Sequence, residues 1–567
     1  MSTTRHAVEA YVPGLRAVRT YERSWLSADV VAGLVLAAIL VPQGMAYAEL
    51  AGLPPVTGLY TTVACLIGYA VFGPSRVLVL GPDSSISPLI LAAITPLLVG
   101  SDPAAAIALA GMLAVIVGLI EIGLGLGKLG FVADLLSTEV QVGYMNGLGI
   151  TIIVGQLPKL FGFSTDADSF FEEVQAFVAG LDQTDATTLV VGLCVLVVLL
   201  VLPRFTTRVP AVLVAVVGAT VVSAVLDLAA NGVDTVGALP QGVPSPEFPW
   251  TSASDLGPLL VAAAGITLVS LTDTIATATS FAARRGDEVE PNQEMIGMGA
   301  ANITAGLFQG FAVSTSGSRT AVAEQSGARS QLTGVVGAGL VVVLLLFLNS
   351  LLADLPQTAL AAVVIGAALS LMDLRILGRY LRVRKSALTL SLVATAGVVV
   401  FGVLQGIVVA IVLAILMFFR RNWWPHGAVL GQVPGLRGWH GVDGHDDAVQ
   451  IPGVVVYRWE APLFFANAGA FRQQVRHLAR EQQPSWIVLQ CEAITDIDVT
   501  AADMLRQLDD ELNAQGIHLA FAELRSRLQE QALRYGLMET LDRDHFYPTL
   551  KAALAAIDAG EEPASDG

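Results

Sequence analysis

The chain has 567 residues, 54% of them hydrophobic and 14% charged, with a mean hydropathy of +0.66 and a formal net charge of −17. Soluble domains carry about 25% charged residues, so these figures argue against a soluble globular enzyme. The charge gathers at one end: 21 acidic and 10 basic residues lie from Gly441 onward. No basic run or aromatic-basic interleaving is present, so nucleic acid is not an expected partner. Cys65, Cys194 and Cys491 form no disulfide framework and no metal-ligand spacing. The polar N-terminus lacks the apolar region and cleavage site of a signal peptide.

Residues 1–27 read as a cytoplasmic N-terminal segment, and residues 28–421 as a transmembrane transport domain. A membrane span needs about 20 apolar residues. Runs of that kind begin near Ala28, Val56, Pro103, Val132, Thr187, Val209, Pro258, Glu294, Ser330, Pro356, Ser386 and Gly402. Two further runs are shorter and broken: Val77 to Leu98 by Gly81-Pro82, and Phe311 to Ala323 by Ser-Thr-Ser-Gly-Ser. Together they make 14 membrane elements in an α-helical membrane protein. Lys and Arg favour cytoplasmic loops. Arg5, Arg16, Arg19 and Arg23 precede the first run, and alternation puts Arg76, Lys128, Arg204, Arg208, Arg284, Arg285, Arg329, Arg375 to Lys385, Arg420 and Arg421 on the same side. The intervening loops, such as Asp166 to Asp185, are acidic or neutral, with Lys159 the exception. A multi-pass protein of the cytoplasmic membrane with both termini inside is the expected topology.

Residues 422–452, rich in Gly and Pro, read as a linker. Strands are predicted at Val454 to Trp459, Ser485 to Gln490 and Ile517 to Phe521, with helices at 468–480, 500–514, 526–535 and 549–557. This makes a small cytoplasmic α/β domain over 453–558, followed by a disordered tail over 559–567.

The broken elements are third and tenth of 14, so they hold corresponding places in two seven-element halves. Irregular backbone at membrane depth is tolerated only where protein or a water-filled cavity satisfies it. Paired breaks of this kind point to an inverted-repeat transporter with its site at the midplane. Asp83, Ser84 and Ser85 are placed to cap a helix running on to Leu98. Free N–H groups at both helix starts, with the hydroxyls of Ser84, Ser85, Ser87, Ser314, Thr315, Ser316 and Ser318 beside Gly317, can donate to a small oxyanion. Arg319, one residue beyond the second break, either lends positive charge to that anion or is internally paired. Asp273 is the single acid in its span, with Thr277 one turn on. It can carry a proton, hold Na⁺ with backbone carbonyls, or pair with Arg319. Asp83 is either a helix cap or a cation ligand. Glu121, Glu139, Glu294 and Glu324 lie nearer span ends and read as solvated or paired. No histidine occurs between His6 and His426, so a membrane metal centre or histidine relay is not expected.

Asp29-Val-Val-Ala-Gly-Leu and Val41-Pro-Gln-Gly-Met-Ala-Tyr-Ala-Glu-Leu-Ala-Gly-Leu-Pro-Pro-Val-Thr-Gly-Leu-Tyr60 resemble the first-span signature of the sulfate permease (SulP) family of anion transporters. Phe308 to Gly334, with Ser318-Arg319-Thr320-Ala321-Val322 and Gly327-Ala-Arg-Ser-Gln-Leu-Thr-Gly, resembles the family's tenth-segment motif. Ala461-Pro-Leu-Phe-Phe-Ala-Asn467 and Ile494-Thr-Asp-Ile-Asp-Val-Thr500 resemble its STAS domain. The resemblance implies a 7+7 inverted repeat with core and gate domains, a homodimer, and elevator-like movement of the core. It also implies an acid at Asp273. Proton-coupled members have Glu there, and the Asp273 and Thr277 spacing is similar to sodium-coupled bicarbonate carriers. Thr500 falls where related STAS proteins are phosphorylated, or is a plain N-cap.

The expectation is a secondary active transporter of a small inorganic oxyanion, sulfate first, coupled to H⁺ or Na⁺ and needing no other cofactor. A bicarbonate or dicarboxylate carrier and a channel-like anion conductor are the alternatives. The tail is expected to serve regulation, assembly or a cytoplasmic protein partner.

Overall fold

The computed structural model describes residues 12–559 except 99, 101, 135, 136, 166, 168, 207–209 and 542–544. Arg5, Asp166, Arg208, Val209 and residues 560–567 of the expected tail lie outside the described residues. The chain divides into two compact units, residues 1–414 and 415–567.

Among the described residues, fourteen membrane elements follow in order. The first seven are Leu26–Leu50, Pro55–Phe72, a broken third (Leu80–Gly81, then Ser87–Ile94), Pro103–Leu126, Thr138–Phe161, Ala186–Phe205 and Ala211–Leu226. The second seven are Leu256–Arg285, Pro291–Leu307, a broken tenth (Ser314–Thr315, then Gly317–Gln325), Leu332–Phe347, Gln357–Leu371, Lys385–Phe401 and Val403–Trp423. Proline opens the second, fourth and ninth helices, where its missing N–H costs nothing. The fifth helix starts at Thr138 rather than near Val132. Residues 130–134 form a 3₁₀ turn, and the Ser137 hydroxyl accepts from Val140 N–H as the cap.

The packing partners come in pairs that exchange the halves. The fourth helix packs on the ninth and the second on the eleventh; the fifth packs on the thirteenth and the sixth on the twelfth; the first packs on the eleventh and the fourth on the eighth. A twofold relation between the halves requires this correspondence. It separates a core of segments one to four and eight to eleven from a gate of five to seven and twelve to fourteen. In lipid, helices associate through close packing of small residues. Gly118 faces Gly299 and Gly111 faces Gly306 so closely that a Cβ on Gly118 or Gly299 would lie 2.5 Å from the other's carbonyl oxygen.

Lys159, the exception to the charge pattern, lies 3.7 Å from Glu49 at the end of the first helix, so its charge is offset there.

Among the described residues the second unit holds a six-stranded sheet, in the order His440–Gly441, Gly427–Gly431, Val454–Trp459, Trp486–Gln490, His518–Ala522, Phe546–Tyr547. The last four are parallel, and Gly427–Gly431 runs antiparallel to both neighbours. The stretch expected as a linker over 422–452 thus supplies two strands of this sheet. Its glycines hid them, because Ala428 and Leu430 are buried by residues distant in the chain, among them Val456, Val488 and Leu550. Trp459, Phe471, Ile487, Leu505 and Leu519 centre the core.

Candidate anion site

The two breaks meet. Leu80 pairs with Thr315 and Gly81 with Ser314 in a short antiparallel bridge. Ser316 N–H donates to Val79 O at 3.2 Å, and Val79 N–H donates to the Thr320 hydroxyl at 3.1 Å. Backbone that leaves the helical pattern inside the membrane is satisfied by its counterpart from the other half, as the bilayer demands.

Around this crossing the residues singled out from sequence divide. Ser84 and Ser85 are buried, and Ser84 faces the Tyr47 hydroxyl. Asp83 Oδ1 accepts from Ser85 N–H at 3.0 Å and from the Ser85 hydroxyl at 2.8 Å. The helix begins at Ser87, after Ile86, with no side-chain cap, so Asp83 holds the turn before it rather than the helix end. Ser87 donates to Asp83 O at 2.7 Å, so its hydroxyl proton is engaged by backbone. On the tenth segment, Ser314 is fully buried and its hydroxyl has no partner among the described residues. Thr315 donates to the Thr274 hydroxyl at 3.3 Å. Ser316 is the N-cap, accepting from Arg319 N–H at 3.5 Å, with the Ser318 hydroxyl 3.0 Å away. Gly317 and Ser318 are exposed, and a Cβ on Gly317 would meet nothing within 4 Å.

Arg319 is 1% exposed and internally paired. Its guanidinium donates to Pro82 O at 2.5 Å, Gly81 O at 3.4 Å and Asp83 Oδ2 at 3.5 Å. The arginine of one half therefore clamps the break of the other, and its ionic partner is Asp83 rather than Asp273. Its Nε has no partner among the described residues.

Asp273 is half-buried and accepts from Gln141 Nε2 at 3.2 Å. Ser85 also faces its carboxylate. Thr277 is half-buried and makes no side-chain hydrogen bond among the described residues; Thr274, not singled out from sequence, touches Thr315 instead. Tyr47, Gln141 and Tyr144 were also missed. Tyr144 is buried beside Asp273, and its hydroxyl has no partner among the described residues. The available signal was polar residues inside apolar runs.

Glu121 and Glu294, read as near span ends, are buried and hydrogen-bonded. Glu121 accepts from Ser270 Oγ at 2.9 Å and Asn302 Nδ2 at 2.8 Å, and Asn302 Oδ1 accepts from Val313 N–H at 2.8 Å. Glu294 accepts from Tyr69 OH at 2.6 Å and from Ser75. Glu324 pairs with Arg285 at 2.9 Å. A cavity of about 640 Å³, lined by Arg76, Lys128, Arg285 and Glu294 among others, meets the broken third run at Val77 and Leu78, ahead of its Gly81-Pro82 break.

In the second unit Thr500 is not the cap. Asp498 caps the helix Val499–Asn513, its carboxylate accepting from Ala501 N–H at 2.8 Å, and Thr500 is exposed in the first turn.

Residues 26–394 match the model of the sulfate permease family, and residues 447–553 match the STAS domain. The chain is 43% identical to a probable sulfate transporter of Mycobacterium tuberculosis over 549 residues, covering 96% of this chain and 98% of that protein. The chain belongs to the sulfate permease family. That membership makes it a multi-pass membrane transporter of small anions rather than an enzyme. It is also 32% identical to human solute carrier family 26 member 6 over 79% of this chain and 62% of that protein. Its fold matches the solved structure of SLC26A9 with a TM-score of 0.90 at 22% identity, covering 99% of this chain and 94% of that one. The transmembrane domain of the cyanobacterial bicarbonate transporter BicA matches with a TM-score of 0.61 at 24% identity, over 70% of this chain and 98% of that one.

Proposed function

We propose that the chain is a secondary active transporter that carries a small inorganic oxyanion, sulfate first, by elevator-like movement of the core past the gate. The observation that carries this reading is the crossing of the third and tenth segments. Two helix starts and the hydroxyls of Ser84, Ser85, Ser314, Thr315, Ser316 and Ser318 gather there, with Gly317 leaving room. Helix starts and hydroxyls donate to anions without requiring a mobile cation. Sulfate is also the substrate in the name of the mycobacterial relative.

Coupling follows from charge. Arg319 and Asp83 offset each other at 3.5 Å, which leaves Asp273 beside the crossing with no ionic partner among the described residues. An anion entering next to an ionised carboxylate is repelled, so a proton or a Na⁺ at Asp273 favours its binding. Thr277 stands close enough in sequence, one turn on, to serve Na⁺, and Asp83 serves the site by holding Arg319. A homodimer, cytoplasmic termini and a protein partner for the STAS domain, with Thr500 as its exposed regulatory position, complete the proposal. The domain limits proposed are those read from the sequence, with the STAS sheet extended back to Gly427.

Uptake of labelled sulfate into proteoliposomes under imposed H⁺ or Na⁺ gradients tests it. Accumulation above the external concentration under one gradient is the expected result. Accumulation of bicarbonate but not sulfate moves the substrate, and passive flux without accumulation makes the protein a conductor.

A further inference from the structure

Between the twelfth and thirteenth membrane segments lies a ten-residue helix, Leu374–Val383, that no part of the anion site uses. Two residues join it to Gln357–Leu371 and one, Arg384, joins it to Lys385–Phe401. A trans-peptide link extends by at most about 3.6 Å per residue, so both ends of the helix are held at the membrane boundary.

Its sequence is divided lengthwise. Arg375, Arg379 and Arg382 follow i, i+4, i+7 spacing and share one face, with Arg384 and Lys385 just beyond. Leu374, Leu377 and Leu381 repeat the helical spacing on another face. Leu374, Leu381 and Val383 are 61%, 57% and 76% exposed, and all five cations are exposed. None of the five makes an ion pair with a described residue. The one acid between Asp373 and Lys385 is Asp373, which spends its carboxylate on the N–H groups of Arg375 and Ile376 as the helix cap.

A helix with uncovered leucines beside unpaired arginines, fixed at the rim of a bilayer, has the two properties that an anionic lipid surface complements: acyl chains for one face and phosphates for the other. We propose that Leu374–Val383 lies in the membrane interface and binds anionic phospholipid headgroups through Arg375, Arg379 and Arg382. The charge cluster thereby does more than orient the chain: it anchors the gate domain to the lipid, against which the core moves.

The test uses the full chain carrying Cys194→Ser and Leu381→Cys, labelled at position 381 with an environment-sensitive fluorophore and reconstituted in phosphatidylcholine vesicles. Trace brominated phosphatidylglycerol is compared with trace brominated phosphatidylcholine as quencher. The expected result is several-fold stronger quenching by the phosphatidylglycerol, reduced by high salt and by Arg375→Gln/Arg379→Gln/Arg382→Gln, and retained when the same positions are Lys. Equal quenching by the two lipids, or quenching only by aqueous iodide, overturns the proposal. So does a preference for phosphatidylglycerol that survives the triple Gln substitution. Elution of each variant as the same monodisperse species in detergent separates these outcomes from misfolding.

Discussion

Gln141 Nε2 donates to Asp273 Oδ1 at 3.2 Å, and the two residues belong to different bundles: Gln141 to the gate, Asp273 to the core. Movement of the core past the gate must break this bond, and the charge on Asp273 sets how strongly it resists. Asp273→Asn keeps the shape and loses the charge. It is expected to abolish gradient-driven accumulation while leaving anion exchange at equal gradients measurable. Gln141→Ala is expected to keep accumulation but shift the pH or Na⁺ dependence of its rate. Paired uptake and counterflow assays on the two variants check both; accumulation by Asp273→Asn at the wild-type level refutes the coupling role.

Arg319 holds the Gly81 and Pro82 carbonyls and Asp83 together with a planar fork. Lys presents a single ammonium and cannot reach all three in that geometry. Arg319→Lys leaves a buried acceptor unpaired, at a cost of about 1–3 kcal/mol. Thermal melting in detergent is expected to fall together with sulfate uptake. Loss of uptake at an unchanged melting temperature would instead make Arg319 a ligand of the anion.

Glu121 ties the fourth helix to the eighth and ninth, and through Asn302 to the start of the tenth-segment break. Glu121→Gln can keep both contacts, because the Ser270 hydroxyl can turn to accept. Glu121→Ala leaves two buried partners unsatisfied beside a cavity, a loss of about 3 kcal/mol or more. Melting temperature and uptake are expected to be near wild type for Gln and strongly reduced for Ala. A Gln variant as damaged as Ala shows that the charge itself is required.

In the STAS domain, Arg472 and then Arg476 hold the Glu511 carboxyl below its ordinary value of 4.5. A carboxyl lowered by folding stabilises the fold above its unfolded value and loses that contribution as the pH falls through the folded one. The three side chains are partly exposed to solvent, so the effect is small. Hydrogen exchange of the helices Ala468–Gln482 and Val499–Asn513 should be faster in Glu511→Gln than in wild type at pH 7, with the difference closing as the pH falls below 4.5.

The 14 elements were legible because a bilayer leaves few options: apolar runs of sufficient length become spans, and a Gly-Pro or Ser-Thr-Ser-Gly break becomes a break. The meeting of the breaks was legible from their matching places in the two halves. The partner of Arg319 was not. Asp83 and Asp273 are both acids within membrane segments, and only the antiparallel pairing of Leu80 with Thr315 puts the guanidinium against the Pro82 carbonyl. The partners of Glu121 were not legible either, because nearness to a span end in sequence says nothing of the helices packed around it. The strands at Gly427–Gly431 and His440–Gly441 escaped notice because short strands rich in glycine carry no alternating pattern of their own.

By itself the sequence determined which residues enter the membrane, where the chain breaks inside it, and which family motifs it carries, since hydropathy, helix-breaking residues and local motifs are properties of contiguous residues. Only the tertiary structure decided which charged side chain meets which partner: Arg319 with Asp83, Asp273 with Gln141, Glu121 with Ser270 and Asn302. A polar group in an apolar interior must be satisfied, but its partner is chosen by the packing of helices distant in the chain.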